Sequence, residues 1–220
     1  MRNCTDIVLL LDRSGSMQNI QEATIAGFNQ FLKKQQKLAG EAILTLIQFD
    51  SGVFGELSYE VVCKNRPIKE AQPLTDATFV PRGGTPLLDA AARAIRETGD
   101  RLRALSEADR PSKVIFVFIT DGQENSSRDT TRQQLFDIIT HQRSNYNWEF
   151  LFLGANQDAI AEASSIGIAS HSSMNYAANA AGSAAAYNSL NRSVTTCRVV
   201  PGATAEFTDI DRAENDQHIK

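Results

Sequence analysis

The sequence predicts an α/β protein in which a doubly wound, mostly parallel central sheet is flanked by helices on both faces. Apolar runs of strand length alternate along the chain with segments whose apolar residues recur at helical spacing, which is the pattern of such folds. Three of the runs, IVLLL, VIFVFIT and FLFLG, are apolar at almost every position. That is typical of central parallel strands, because helices cover both of their faces.

Five strands are predicted from the apolar runs, at residues 6–11, 43–49, 59–63, 114–120 and 150–153. The second alternates in part and the third is short, so we expect both toward one edge, as an antiparallel hairpin through DSGVFGELS. Helical spacing of apolar side chains predicts three long helices, at residues 20–38, 86–105 and 131–142. Strands alternating with helices imply a ligand site beyond the carboxyl ends of the strands.

The composition of the chain changes after residue 168. We expect residues 1–168 to form the α/β domain, and residues 169–200, which are rich in Ala, Ser and Asn, to form a lightly packed extension. A helix is predicted within this extension at residues 183–194. We expect residues 201–220 to be a disordered tail, because the segment is polar and has few apolar side chains to bury.

The charge balance excludes some classes of partner. The chain of 220 residues carries 22 Lys and Arg against 26 Asp and Glu, a formal charge of −4. Without a basic stripe, neither nucleic acid nor an anionic membrane surface is expected as a partner. The first apolar run is short and is interrupted by Asp12, so no signal peptide is expected. No later apolar run approaches the ~20 residues of a membrane helix.

The cysteines favour a reducing compartment. Cys4, Cys63 and Cys197 are far apart in the sequence and form no C-x-x-C pair, which indicates reduced thiols that pack in the core. We therefore expect a cytoplasmic protein without membrane insertion. The sequence contains no coiled-coil heptad, and it leaves the oligomeric state open.

The first buried strand ends in a group of oxygen-bearing side chains, in the stretch IVLLLDRSGSMQ. Asp12 closes the strand, and Ser14 and Ser16 follow on either side of Gly15. Gly15 allows the backbone to turn, so that both hydroxyls can point to one side of the loop. These three side chains are the first candidates for a ligand site.

Two further loops are expected at the same edge of the sheet. Thr85 follows two glycines and precedes Pro86, which suits the first position of a helix, so Thr85 is a predicted helix N-cap. Thr120 and Asp121 end the strand VIFVFIT before another glycine turn. Carboxylate and hydroxyl oxygens are hard ligands that suit Mg²⁺ or Mn²⁺, with Ca²⁺ as a further alternative. The predicted metal ligands are Asp12, Ser14, Ser16, Thr85 and Asp121.

Taken singly, each group also has an ordinary structural explanation. Asp and Ser cap loops and helices, a Thr before a helix serves as an N-cap, and an Asp before Gly is a common turn residue. All three groups occur in order, each beside the expected element, and this agreement favours a common site over three separate caps.

The D-x-S-G-S stretch, the Thr in a glycine-rich loop before a long helix, and T-D-G after a strand resemble the metal-ion-dependent adhesion site (MIDAS) of the von Willebrand factor A (VWA) family. The similarity covers residues 6–166 and extends to stand-alone bacterial members. It implies that Ser14 and Ser16 bind the metal directly and that Thr85 binds it directly or through water. Asp12 and Asp121 are implied to act through water and hydrogen bonds.

The resemblance implies a metal-dependent adaptor or scaffold module, with an acidic side chain of a partner protein completing the metal's coordination. Six residues of the surrounding loops are predicted contacts for that partner: Arg13, Gln18, Arg82, Gln123, Glu124 and Asn125. An enzyme is not expected, because G-x-S-x-G and phosphate-binding glycine loops are absent and no histidine adjoins the motifs. A metal-dependent phosphohydrolase or phosphotransferase, and a domain whose metal is purely structural, remain the alternatives.

Overall fold

The computed structural model describes residues 1–52, 54–155 and 158–219, and its centre is a six-stranded sheet. The strands are β1 (Arg2–Asp12), β2 (Glu41–Ser51), β3 (Leu57–Pro67), β4 (Pro111–Thr120), β5 (Glu149–Ala155) and β6 (Ser173–Tyr176). They lie in the order β3-β2-β1-β4-β5-β6, and every neighbouring pair is parallel except β2 and β3. The predicted α/β fold with a mostly parallel sheet is confirmed.

Six α-helices accompany the sheet within the described residues: α1 (Gln21–Gln36), α2 (Leu87–Arg103), α3 (Arg132–Tyr146), α4 (Ala159–Ser165), α5 (Ala180–Val199) and α6 (Asp209–Asp216). Helices α1 and α5 contribute to the core on one face of the sheet, and α2, α3 and α4 contribute to the core on the other. Among these described helices, none is both long enough and apolar enough to cross a membrane.

The sequence of β1, a central strand, explains why helices cover both faces of the sheet. Ile7, Leu9 and Leu11 of β1 belong to one hydrophobic core, and the alternate residues Val8 and Leu10 belong to the other. Because successive side chains of a strand point to opposite faces, an unbroken apolar run is stable only where helices pack on each side. The apolar sequence of β1 therefore determines its central position.

The strand order reverses between β1 and β4, which are parallel neighbours. From β1 the chain first builds β2 and β3 on one side of the sheet, and it then returns to build β4, β5 and β6 on the other. In doubly wound sheets, the loops that leave such a pair of strands diverge and open a crevice at their carboxyl ends. Asp12 and Thr120 end these two strands and border that crevice.

The edge hairpin agrees with the prediction in type and differs in length. Strands β2 and β3 are antiparallel, as expected, and β3 spans Leu57–Pro67, where the sequence predicted only residues 59–63. Most residues of β3 are exposed or half-buried, because it lies at the edge of the sheet. A short apolar stretch therefore understated the length of the strand.

The boundary predicted at residue 168 is wrong. Strand β6 pairs in parallel with β5 and extends the same sheet, and α5 packs against α1 through the buried side chains of Tyr187, Leu190 and Val194. The predicted helix at residues 183–194 lies inside α5. Small residues mislead here, because Ala and Ser allow close packing of a helix with few large side chains.

The disordered tail predicted from residue 201 is wrong as well. Ala205 and Phe207 are buried in the core beside α5, and residues Asp209–Asp216 form a helix. Thr208 caps this helix in a reciprocal capping box with Asp211, and Asp211 in turn pairs with Arg192 of α5. Local caps and one buried aromatic ring order a segment whose average composition is polar.

The contact between α1 and α5 yields the first testable prediction. A Cβ atom at Gly27 of α1 would overlap the buried ring of Tyr187, so Gly27→Ala should destabilise the fold by about 1–3 kcal/mol. Gly99, inside α2, is the control, because a Cβ there meets no atom closer than 4.0 Å. Gly99→Ala should stabilise by about 1 kcal/mol through helix propensity. Urea unfolding measures both changes; equal effects would contradict the close α1–α5 packing.

Candidate metal centre

Three loops meet at the crevice between β1 and β4, and backbone hydrogen bonds hold them together. The loop after β1 donates from the Gly15 N–H to the Gly83 carbonyl at 2.9 Å. The loop after β4 donates from the Asn125 N–H to the Thr85 carbonyl at 3.2 Å. The segment that contains Gly83 and Thr85 thus lies between the other two loops and contacts both.

Asp12 is the innermost acid of the group and is 0 % exposed. Its Oδ1 accepts a hydrogen bond from the Ser14 N–H at 2.7 Å, and its Oδ2 accepts one from the Thr120 hydroxyl at 2.6 Å. The first bond closes a turn that directs Ser14 toward the crevice, and the second joins the ends of β1 and β4. Asp12 therefore fixes the geometry of the loop that carries the serines.

The hydroxyls of Ser14 and Ser16 lie 3.1 Å apart, and the Ser16 hydroxyl donates to Asp121 Oδ1 at 2.5 Å. Mg²⁺ binds six oxygens octahedrally at about 2.1 Å, so adjacent ligands around it are about 3 Å apart. The two serine oxygens have the spacing of two such neighbouring ligands, and a carboxylate lies directly behind one of them. The residues present therefore fit an octahedral ion of this size.

Thr85 lies in the same crevice and is 2 % exposed. A Cβ atom at Gly122 would be 3.3 Å from the Thr85 hydroxyl and 3.4 Å from the Ser16 hydroxyl, so both oxygens face the same glycine. The predicted N-cap role is wrong: Pro86 occupies the N-cap position of α2, without a side-chain cap. Among the described residues the Thr85 hydroxyl has no hydrogen-bond partner, which leaves its oxygen free to bind a ligand.

Burial raises the pKa of Asp12 to about 7, although the hydrogen bonds from Thr120 and Ser14 act to lower it. Burial also raises the pKa of Asp121, against the hydrogen bond from Ser16. Two carboxylates are thus placed close together with little water to solvate their charges. No arginine or lysine pairs with either of them in the described part of the chain.

No cluster of three or more His, Cys, Asp or Glu side chains that could hold a metal ion occurs among the described residues. The group in the crevice has another composition, with two carboxylates and the hydroxyls of two serines and a threonine. Neither His141 nor His171 belongs to this group. His141 is on α3, and His171 lies near Glu149, which begins β5 at the opposite end of the sheet.

No protein-family model matches the sequence, and no curated protein sequence matches it. Solved structures do match its fold. The pilus adhesin SpaC from Lactobacillus rhamnosus GG matches with a TM-score of 0.63 and 18 % identity, over 90 % of this chain and 31 % of that one. A von Willebrand factor type A protein from Catenulispora acidiphila matches with a TM-score of 0.54 and 16 % identity, over 86 % of this chain and 42 % of that one.

This chain has the von Willebrand factor A fold. Proximal thread matrix protein 1 from the mussel byssus, in a structure with a zinc-occupied MIDAS motif, matches at a TM-score of 0.52 and 12 % identity, over 88 % of this chain and 44 % of that one. The chain spans less than half of the length of each of these three proteins. At these identities the likeness concerns the VWA fold alone.

Three of the residues predicted to contact a partner lie on the surface beside the VWA crevice. Gln18, Arg82 and Gln123 are exposed. Gln18 donates to the side chain of Gln21, and Arg82 pairs with Asp50 at 3.3 Å. These side chains remain accessible to a protein that approaches the crevice.

Arg13, by contrast, does not lie on the surface beside the crevice, and its prediction as a partner contact is wrong. Its side chain is buried, pairs with Asp50 and Glu60, and lies beneath the loop. Its position between Asp12 and Ser14 explains this, because successive side chains at a strand end point to opposite sides. Asp12 and Ser14 face the crevice, and Arg13 consequently faces β2 and β3.

Glu124 and Asn125, two further predicted partner contacts, form hydrogen bonds within the protein. The half-buried Glu124 carboxylate accepts hydrogen bonds from the N–H groups of Leu88, Ser126 and Ser127, at 2.7 to 3.0 Å. It thereby caps the first turn of α2. Asn125 is exposed, but its Oδ1 accepts the Thr85 N–H at 2.9 Å.

Two acids that hold these loops were missed in the sequence. Asp89 accepts hydrogen bonds from the N–H groups of Arg128, Asp129 and Thr130, and so fastens the loop after β4 to the first turn of α2. Asp50 is the buried partner of Arg13. An Asp in the first helical turn, and an Asp at the end of an apolar strand, were the signals that indicated them.

The second prediction tests the structural role of Glu124. Glu124→Ala should destabilise the fold by about 1–2 kcal/mol, the usual cost of losing a helix cap, since Leu88 loses its acceptor. Gln123→Ala, at an adjacent exposed position, should change the unfolding free energy by less than about 0.5 kcal/mol. Thermal unfolding without metal measures both. Equal stability of the two variants would contradict the capping role.

Proposed function

We propose that this chain is a metal-dependent protein-binding module, in which a Mg²⁺-type ion at the D-x-S-G-S loop captures an acidic side chain of a partner. The observation that carries the proposal is the pair of serine hydroxyls 3.1 Å apart with Asp121 behind Ser16. The spacing suits adjacent ligands of an octahedral ion. Ser14, Ser16 and Thr85 would hold the ion by their hydroxyls, and Asp12 and Asp121 would act from behind them.

The hydroxyl ligands would leave a bound ion with most of its positive charge. Hydroxyl oxygens are neutral, so direct ligation by serine and threonine leaves the charge of the ion largely uncompensated. When bound, the ion supplies a positive centre with a coordination position that is open to an outside ligand. A partner's Asp or Glu is the natural occupant, because a carboxylate provides the charge that the hydroxyls do not.

The oxygen ligands favour Mg²⁺ or Mn²⁺, with Ca²⁺ as a further alternative. Histidine and cysteine, which favour zinc, do not contribute to the crevice among the described residues. The preference for a hard ion therefore rests on the ligand chemistry of this chain. Proximal thread matrix protein 1 from the mussel byssus, which has a similar fold, holds zinc in its MIDAS motif.

The fold relatives support a role in binding. SpaC is a pilus adhesin, and the mussel protein is a thread matrix protein. The competing enzymatic function, metal-dependent phosphoryl hydrolysis, needs a positioned base and a nucleophile. Each oxygen of the Asp12 carboxylate accepts a hydrogen bond, from Ser14 and from Thr120, and His141 and His171 lie away from the crevice.

A reducing, cytoplasmic location is part of the proposal. Cys4, Cys63 and Cys197 are all free thiols, and Cys4 and Cys197 are buried. Free, well-separated thiols are usual in cytosolic proteins and less common in secreted ones, where cysteines tend to pair.

The third prediction concerns metal binding. Titration calorimetry with MgCl₂ or MnCl₂ should detect weak binding to the wild-type chain, because a cage completed by water leaves the ion largely hydrated. Asp12→Ala and Thr85→Ala should weaken it by about 10–100-fold. Thr196→Ala is the control, since Thr196 is an exposed residue of α5, which packs on one face of the sheet. Equal affinities in all four proteins would refute the site.

The fourth prediction concerns the partner. A protein that binds this chain through the metal should dissociate on chelation and fail to bind Thr85→Ala, while Thr196→Ala binds it normally. Replacing one acidic residue of the partner by Ala should abolish binding. A partner that binds equally well in excess chelator would indicate a structural metal. Phosphatase turnover that requires Ser14 would instead favour the enzyme.

A further inference from the structure

A group of charged and polar side chains bridges the β1 loop, the edge strands β2 and β3, and the segment that leads to Thr85. We call it the arginine cluster. Its members are Arg13, Gln48, Asp50, Ser58, Glu60 and Arg82. It contains two arginines and two carboxylates, so its charges balance, and within the described residues its side chains form no hydrogen bond with the hydroxyls of the crevice.

Arg13 is the hub of the arginine cluster, and its side chain is only 5 % exposed. Its Nε donates to Asp50 Oδ2 at 2.8 Å, and its Nη2 lies 2.7 Å from the same oxygen. Its Nη1 donates to Glu60 at 2.5 Å and to Gln48 at 3.2 Å. All three nitrogens are engaged, and only a planar guanidinium can reach these acceptors together.

Asp50 links Arg13 to the segment before Thr85. Its carboxylate is 0 % exposed, and its Oδ1 accepts a hydrogen bond from Arg82 Nε at 3.3 Å. The Arg82 N–H also donates to the Arg13 carbonyl at 2.7 Å. Arg82 is thus joined to Arg13 twice, by backbone and through Asp50, and Thr85 follows three residues later.

Arg13 also sits between two of the proposed metal-binding residues. The Arg13 N–H donates to the Phe49 carbonyl of β2 at 2.8 Å, so its backbone and its side chain are both anchored on the β2 side. The peptide groups that connect Asp12, Arg13 and Ser14 therefore have little freedom to rotate. Their orientation decides where the Ser14 hydroxyl points.

We propose that Arg13 and Asp50 are positioning residues of the metal site. Their ion pair fixes the peptides between Asp12 and Ser14 and, through Arg82, the segment that carries Thr85. The inference rests on the proposed function, because it assigns an indirect role in binding the same ion. A buried ion pair adds little net stability, since desolvation offsets the attraction, but its directional bonds define one geometry.

A second buried ion pair, between β1 and α2, provides the control. Asp6 of β1 is buried and pairs with Arg101 of α2, which is mostly buried. Asp6 and Asp12 are separated by about 20 Å along the strand, so this second pair lies at the far end from the crevice. Removing either arginine, Arg13 or Arg101, weakens the pairing of a buried carboxylate and destabilises the fold.

The experiment measures Mn²⁺ binding to the full chain by the electron paramagnetic resonance signal of free Mn²⁺. The proteins are wild type, Arg13→Met, Asp50→Asn and Arg101→Met, each at a temperature where its unfolding curve shows the native state. We expect at least tenfold weaker Mn²⁺ binding by Arg13→Met and Asp50→Asn, as for other residues that orient metal ligands. Arg101→Met should bind with wild-type affinity despite its lower stability.

Two results would overturn the positioning role: wild-type affinity in Arg13→Met, or an equal loss of affinity in Arg13→Met and Arg101→Met. Both would leave the proposed metal site intact, because wild type would still bind. If wild type itself binds no Mn²⁺, the proposed function fails, and this inference falls with it.

Arg82→Gln keeps the test decisive if Arg13→Met does not fold. The Arg82 side chain is 58 % exposed, and its removal leaves the pair of Arg13 and Asp50 in place. We expect the wild-type unfolding temperature and a several-fold loss of Mn²⁺ affinity, because the segment before Thr85 loses its side-chain link to Asp50. Unchanged affinity in this variant would overturn the link to Thr85.

Discussion

The buried carboxylate of Asp12 is the interaction on which the rest of the site depends. It stands at the end of the middle strand, 0 % exposed, and accepts hydrogen bonds from the Ser14 N–H and the Thr120 hydroxyl. The first bond shapes the serine loop, and the second joins the two strands between which the crevice opens. Burial raises its pKa to about 7, so the acid is held where its charge is poorly solvated. A cation near Asp12 would stabilise the charge of its carboxylate. The buried acid at the end of β1 thereby links the fold to the proposed metal site.

The fold brings the remaining ligands to Asp12 by fastening each loop at a point away from the crevice. Asp89 and Glu124 secure the loop after β4 to the first turn of α2. Arg13 and Asp50 secure the loop after β1 to the edge hairpin. The hydroxyls of the crevice form few hydrogen bonds within the protein. They remain available to a ligand because other side chains hold the loops in place.

Much of the fold was predictable, because the strands that form its centre are apolar on both faces and so have one stable environment. The C-terminal part of the fold was not predictable. Strand β6 and helix α5 pack with small residues, and the ordered tail depends on Phe207 and on the cap at Thr208. Average composition conceals such features, since a few local contacts decide whether a polar segment is ordered.

The candidate site shows the same division. Residue types and their order indicated which side chains would meet, since the carboxyl ends of parallel strands share one edge. The direction of a loop side chain was not predictable: Arg13 turns inward, and Glu124 caps a helix that is distant in sequence. Asp50 was not identified as a partner of Arg13, because only the pairing of β2 with β3 and β1 brings them together.

Crystals of the full chain soaked in MnCl₂ test the central claim most directly, through the anomalous scattering of manganese. The account predicts an anomalous peak at bonding distance from the hydroxyls of Ser14 and Ser16, with Asp12 and Asp121 behind them and water or a neighbouring carboxylate on the outer side. The same soak of Asp12→Ala crystals should lack this peak. A manganese peak elsewhere on the molecule, with none between the two serines, would contradict the account.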